Sequence, residues 1–413
     1  MSETTTRGGL RSGLFAWLVA GWTLANVADS LLGVLLAVWV VDLTGDAALG
    51  GLLFAVFGIP ALFAPLLGRL ADRVSRRRML WVTYIVGAAA LAPLVMVRDA
   101  SQVWWIFAAT ILYGAVGYGT AGCRGGILRD LLDDDDLGPA NAILQTIDQV
   151  LRLALPFVAA GVYIWTGPLP VVLAAIGTFL AAAVVFASLR FAEAPVEDDA
   201  DPFWVSVTAG FRHLRVTRPL NRMTVVLVML SSTAAFTSAV GFAVLERMGV
   251  EPAWMGPIEA LSGIGGLIAG VTAAAAMRRF GRPRALTIGT VLLALGVAPM
   301  LADSVWLLAA GLAVVGFGVT TSVIAYVTES HVATPSRLQG RVGTSVNMLM
   351  QLPAVVITAA GAAALGLVDA RWIVACGLAM CAVAAVVAWR THAAQARPAG
   401  EPGMAAPDVG GRG

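Results

Sequence analysis

Gly68-Arg69-Leu70-Ala71-Asp72-Arg73-Val74-Ser75-Arg76-Arg77-Arg78 separates two long apolar stretches and packs five arginines into eleven residues. A second basic run, Met277-Arg278-Arg279-Phe280-Gly281-Arg282-Pro283-Arg284, follows at an offset of 206 residues. That offset superposes Arg73 on Arg279, Arg76 on Arg282, Arg78 on Arg284 and Leu80 on Leu286. Any cytoplasmic hairpin between membrane helices collects arginines, which accounts for the charge. It does not account for the matched spacing, which points to a parallel internal repeat of the kind found in many secondary transporters.

Outward from these loops the chain is apolar. Of its 413 residues 59% are hydrophobic and 13% charged, against about a quarter charged in a soluble domain. A hydrocarbon core of roughly 30 Å needs about twenty apolar residues per crossing, and about twelve stretches qualify. They are 14–40, 48–67, 79–97, 103–127, 142–165 and 169–191 (spans 1–6), then 221–245, 255–278, 285–302, 304–327, 343–367 and 371–390 (spans 7–12). With the N-terminus inside, the cytoplasmic segments hold 23 of the 27 basic residues, all of them Arg, and the external loops only Arg98, Arg247 and Arg371. This is the positive-inside pattern, and it places both termini in the cytoplasm. The expected fold is therefore an all-α polytopic membrane protein of two pseudo-symmetric six-helix bundles in a bacterial inner membrane. The expected division is a cytoplasmic tail at 1–13, bundles at 14–191 and 221–390, a linker at 192–220 and a disordered tail at 391–413. Phe203, Val207, Phe211 and Leu214, with Arg212, Arg215 and Arg218 nearby, predict a short amphipathic helix in the linker.

Several chemistries are disfavoured. With no Lys in the chain there can be no P-loop, so ATP-driven transport by this chain alone is not expected. Cys123, Cys376 and Cys381 are odd in number, lie in apolar segments and lack metal spacing. Asp133–Asp136 lacks the interleaving and distal Glu of a calcium loop and reads as a solvated turn. No cofactor, metal or nucleic-acid partner is expected, and a membrane-embedded enzyme or sensor finds no catalytic cluster.

The stretch Gly68-x-Leu70-x-Asp72-Arg73-x-x-Arg76-Arg77 resembles the signature of the loop between helices 2 and 3 in the major facilitator superfamily. The likeness extends to helix number, loop charge and half-to-half symmetry. Ser75 departs from the pattern, which usually has Gly there and a tight turn. The resemblance implies that Asp72 and Arg73 clamp the cytoplasmic helix ends, Asp72 facing the N-terminus of the eleventh helix near Gly340–Thr344. A carboxylate gains up to about 2 kcal/mol in such a position. Asp29 with Trp39-Val-Val-Asp42-Leu-Thr-Gly45, Arg124-Gly-Gly-Ile-Leu-Arg129-Asp130, Ala140-Asn141 with Gln145, and Gly340-Arg341 are similar to the drug:proton antiporter group. That group includes macrolide-efflux and siderophore-export proteins.

Charges at membrane depth cost roughly 2.5–3.5 kcal/mol on insertion scales, so each needs a reason. Asp29 shares a small polar face of span 1 with Asn26, Ser30 and Gly33. It is a proton-coupling candidate, or else a carboxylate neutralised by a distant Arg or reached by water. Glu259, near the external end of span 8, is a second coupling candidate, with snorkelling as the alternative. In span 5, Asp148 and Arg152 stand at i, i+4, the spacing of an intrahelical ion pair. Arg124 and Arg341 are further gating candidates; Asn26, Gln145, and Asn347 and Gln351 one turn apart in span 11, are cavity candidates, with helix–helix contact as the alternative for the last two. By the resemblance spans 1, 4, 7 and 10 line a central cavity, which nominates Tyr113, Tyr118, Ser232, Thr233, Ser238, Thr321, Ser322 and Tyr326. The expectation is a monomeric secondary transporter that exchanges protons for a small amphipathic molecule. An importer or facilitator of a metabolite or lipid is the alternative.

Overall fold

The computed structural model describes residues 9–10, 12–63, 74–189, 203–365 and 367–396. Regular structure within them is helical throughout. Thirteen α-helices lie among the described residues: α1 Gly13–Thr44, α2 Ala47–Gly58, α3 Arg76–Leu91, α4 Val103–Leu131, α5 Asp134–Thr166, α6 Leu169–Ser188, α7 Phe203–Val216, α8 Leu220–Arg247, α9 Met255–Phe280, α10 Arg282–Val297, α11 Val305–Ala333, α12 Ser336–Ala364 and α13 Ala370–Ala396. Eleven helices are long and apolar enough to cross a membrane, and Ala47–Ala61 forms a shorter apolar helix. The protein is a multi-pass membrane protein. Exposed tryptophans mark both membrane boundaries: Trp104, Trp165, Trp254, Trp306 and Trp372 at one end, Trp17 and Trp389 at the end carrying the termini.

Helix ends differ from the hydropathy reading in explicable ways. α2 gives way to a 3-10 turn, Ile59–Phe63, around Pro60, which has no N–H to continue the α ladder. The basic-loop residues Gly68, Asp72 and Arg73 lie outside the described residues. The acidic run is not a turn: Asp134 opens α5, with Asp133 as its N-cap, so acids occupy the first turn, where the helix dipole favours them. Nearby, the Leu10 amide donates to Asp136 Oδ2 at 3.3 Å. α12 begins at Ser336, so Gly340–Thr344 form its second turn rather than its N-terminus. α13 continues to Ala396, six residues past the expected end of order.

The repeat is visible in the packing. In the first half α1 packs on α5 and α6, and α3 on α4 and α6; in the second, α8 packs on α12 and α13, and α10 on α11 and α13. From Arg76 to Arg282 and from Leu91 to Val297 are both steps of 206 residues, so α10 starts and stops where the offset puts α3. Both then pass into a 3-10 turn at a proline, Pro93 and Pro299. Their entries differ. Ser75 has φ −47° and its hydroxyl accepts the Arg78 amide, capping α3, while its counterpart Gly281 has φ +80°. Serine therefore replaces glycine here at no conformational cost, because the left-handed turn is used only in the second half.

The same arginines make matched ion pairs. Arg76 reaches Asp130 near the end of α4 at 2.7 Å, and Arg282 reaches Glu329 near the end of α11 at 2.8 Å. The Asp130 carboxylate is only 5% exposed. Arg76→Ala strands it, which we expect to cost about 1–3 kcal/mol. Melting in detergent, read by tryptophan fluorescence, should show the loss and its partial recovery on adding Asp130→Asn. An unchanged midpoint for Arg76→Ala would contradict it.

At the opposite end Asp303 joins three elements. Arg371, at the start of α13, reaches it at 2.8 Å and Arg247, at the end of α8, at 2.9 Å. Hydrogen bonds from Arg371, reinforced by its charge and by Arg247, hold the Asp303 carboxyl below the usual carboxylate range. A depressed folded pKa gives stability that is present above the unfolded value of about 3.9 and lost as pH falls through the folded one. Asp303→Asn should therefore melt earlier than wild type at neutral pH, and the difference should close on acidification below about pH 4. Added salt should shrink it too, since the cluster is exposed.

Candidate functional site

Among the described residues the two bundles meet chiefly where α2 packs on α12 and α8 and where α5 packs on α9. Small residues permit the approach. A methyl on Gly58 would meet Val355 Cγ2 at 2.6 Å, and one on Gly50 would meet Phe242 at 2.9 Å. Phe54 and Phe242 stack across the seam with ring centroids 6.2 Å apart. Toward the terminal end, by contrast, Asn141 and Gln145 of α5 and Asn347 of α12 are exposed.

Between the bundles lies a cavity of about 410 Å³. Its walls come from α2 (Phe54, Phe57, Gly58), α4 (Tyr118), α8 (Leu227, Leu230, Ser231, Ala234, Ala235, Ser238), α11 (Val319, Val323) and α12 (Met350, Gln351, Ala354, Val355, Thr358). None of these side chains is an acid or a base at neutral pH. Gln351 Nε2 donates to the Tyr118 hydroxyl at 2.7 Å, a polar bond from one bundle to the other inside the cavity.

Of the residues expected to line it, Tyr118, Ser238 and Gln351 do so. Ser232 and Thr233 instead point into their own bundle: both are buried, and the Thr233 hydroxyl accepts a bond from the Cys381 thiol at 3.4 Å. Tyr326 is buried too, sharing a hydrogen bond with Thr224 at 3.0 Å. Thr321 and Ser322 are likewise buried, Ser322 donating to the Gly318 carbonyl. Span 2 supplies walls that the reading omitted, and span 11 supplies Met350, Ala354, Val355 and Thr358 beside the expected Gln351. Phe54, Phe57 and Gly58 carry no polar signal; the hint was that span 2 combines aromatic residues with glycine.

The intramembrane charges form a separate group along α1, α5 and α9. Asp29, half-buried near the middle of α1, has Tyr113 beside it, whose hydroxyl donates to the Asp29 carbonyl at 3.2 Å. Asn26 Nδ2 donates to the Trp22 carbonyl. The expected Asp148–Arg152 ion pair does not form: Asp148 accepts the Trp22 indole N–H at 2.8 Å, and no ion pair joins it to Arg152 among the described residues. Tertiary packing of α1 on α5 overrides the local i, i+4 spacing. Arg152 lies within electrostatic reach of both Asp29 and Glu259. Glu259 is half-buried and faces Thr237 and Ser238 across a small cleft; it does not snorkel to the surface. Trp22 was missed in the sequence, though it stands four residues before Asn26 and seven before Asp29, on the face already identified. At the far end the Tyr163 hydroxyl donates to Asp42 Oδ2 at 2.5 Å, tying α5 to α1. Arg77 Nη1 donates to the Leu189 carbonyl and the Arg341 carbonyl accepts the Ser345 hydroxyl; the Arg124 side chain is outside the description.

Two packed bundles of apolar, membrane-length helices thus enclose an uncharged cavity between them, an architecture suited to carrying a solute across a bilayer. The chain belongs to the major facilitator superfamily, whose family model matches residues 18–274. No curated protein matches it by sequence. Solved structures with the same fold include a mutant of the nucleoside transporter NupG (15% identity, TM-score 0.75, covering 92% of this chain and 100% of that one). Another is a bacterial homologue of the iron transporter ferroportin in an inward-facing state (15%, 0.71, 92% and 98%). A third is the POT family transporter PepTSo (12%, 0.73, 92% and 98%).

Proposed function

We propose that the protein is a proton-coupled exporter of a small amphipathic organic molecule, working by alternating access in a bacterial inner membrane with both termini in the cytoplasm. The observation that carries this reading is the separation of two sites. The cavity walls are aromatic, aliphatic and sparsely hydroxylated, which suits an uncharged or weakly polar cargo. The acids and the arginine are carried by α1, α5 and α9, none of which supplies a cavity wall, and Glu259 faces the wall residue Ser238 from behind, so a change of protonation can bias the seam between bundles. In this reading the arginine asymmetry turns the exposed faces of Asn141, Gln145 and Asn347 toward the cytoplasm. Asp72, Arg73, Arg76, Arg77, Arg124 and Arg341 belong in this reading to the gate on that side, which closes when the bundles rock.

A labelled macrolide, followed in cells with and without the protein, tests the direction and the driving force together. The expected result is lower accumulation on expression, restored to the control level by a protonophore. Accumulation that rises on expression, or a decrease that survives the protonophore, overturns proton-driven export. A labelled nucleoside run in parallel detects the import alternative, which the descriptions of NupG and its kind make the natural rival.

A further inference from the structure

α7 joins the bundles, and from Thr208 onward its buried residues lie on one face. Gly210 and Leu214 are buried and the helix lies on α12. Contact there is backbone to backbone: a methyl on Gly210 would overlap the Ser345 hydroxyl and the Arg341 carbonyl, and would meet the Arg341 carbonyl carbon at 2.8 Å. On the unpacked side Arg212, Arg215 and Arg218 are exposed, with Arg222 half-buried one turn into α8. None of the four makes an ion pair with another described residue, whereas Arg76 and Arg282 on neighbouring loops are taken by Asp130 and Glu329. α8 begins at Leu220, whose side chain is already fully buried in the bundle. The four guanidinium groups stand beside the start of α8, a helix long and apolar enough to cross a membrane, which in the proposed orientation is headgroup level.

From this we infer that the Arg212–Arg222 face is a binding surface for anionic phospholipid headgroups, and that α7 transmits its occupancy to α12. Guanidinium groups take phosphate oxygens in paired hydrogen bonds, and each basic residue at an anionic membrane surface adds appreciable affinity. α12 packs on α2 across the seam and contributes Met350, Gln351, Ala354 and Val355 to the cavity. A lipid held on α7 therefore bears on a helix that must move in every cycle. The surface is distinct from the cargo site and needs no knowledge of the cargo.

The test is phosphatidylglycerol titrated into the purified full-length protein in detergent, read as the melting midpoint. A parallel readout is maleimide labelling of Asn347→Cys on α12, in a Cys376→Ser background. Wild type should be stabilised by phosphatidylglycerol and not by phosphatidylcholine, with the labelling rate of the Asn347→Cys variant changing as binding saturates. The triple variant Arg212→Gln/Arg215→Gln/Arg218→Gln should melt like wild type without lipid and need about a hundredfold more phosphatidylglycerol. The control Arg278→Gln/Arg279→Gln/Arg284→Gln removes the same charge elsewhere and should respond as wild type does. Equal losses in both triples would reduce the effect to bulk charge and overturn the assignment. Stabilisation by soluble glycerophosphoglycerol at the same concentrations would assign the face to a free phosphate and overturn the lipid. Binding with no change in the labelling of Asn347→Cys would overturn the coupling to α12.

Discussion

Asp29→Asn should abolish uphill transport while leaving downhill exchange of cargo intact. The substitution keeps the size and hydrogen-bonding capacity of the side chain but removes its ability to take up and release a proton. Each pH unit across the membrane is worth about 1.4 kcal/mol per proton, a tenfold ratio in cargo concentration. A variant that cannot carry the proton forfeits that factor. In everted vesicles with an imposed gradient of one unit, wild type should sustain roughly ten times the cargo ratio of Asp29→Asn, and Asp29→Glu should fall between. Neutral Asn is cheaper than a carboxylate at membrane depth, so loss of expression is not expected. If Asp29→Asn still concentrates cargo against its gradient, the proton moves elsewhere, and Glu259→Gln is the next variant to measure.

The second large effect is structural. α9 and α11 approach until glycine backbone meets carbonyl: a methyl on Gly265 would lie 2.8 Å from the Ala313 carbonyl carbon and 2.9 Å from the Phe317 nitrogen. The reciprocal Gly316 would bring one to 2.8 Å from Ser262 Cα. Membrane helices lack a hydrophobic drive to associate and rely on such close packing. Gly265→Val must push the backbones apart, and we expect it to exceed the usual overpacking cost of about 1–3 kcal/mol. Gly270→Val, on the same helix with open space around it, makes the same chemical change with no packing consequence. Size-exclusion profiles should show Gly270→Val monodisperse and Gly265→Val aggregated or absent. Comparable profiles for the two would refute the close-packing account.

The number of helices and their order were legible because hydropathy reports the lipid solvent directly. Helix ends were less so. Polar first turns such as Asp134–Leu137 and Ser336–Gln339 continue the helix beyond the hydrocarbon, where hydropathy falls but the hydrogen-bond ladder does not. The repeat was readable from arginine spacing, and the structure adds its reason: Arg76 and Arg282 each hold a carboxylate on the next helix. Asp29, Arg152 and Glu259 were found because a membrane charge is conspicuous. Their partners were not, since Trp22 with Asp148 and Tyr118 with Gln351 join residues more than a hundred positions apart. The cavity walls were least legible. Phe57 or Val355 in lipid, in a bundle core or in a cargo site give the same letter.

The Tyr118–Gln351 bond sets a condition on idling. Any movement that parts α4 from α12 must surrender it, at a net cost of about 0.5–1.5 kcal/mol, unless something else satisfies both groups. A guest bearing an amide or hydroxyl can do so as it settles. On the proposed mechanism an unladen carrier is thereby slowed by about a few-fold relative to a laden one, which would limit wasteful turnover.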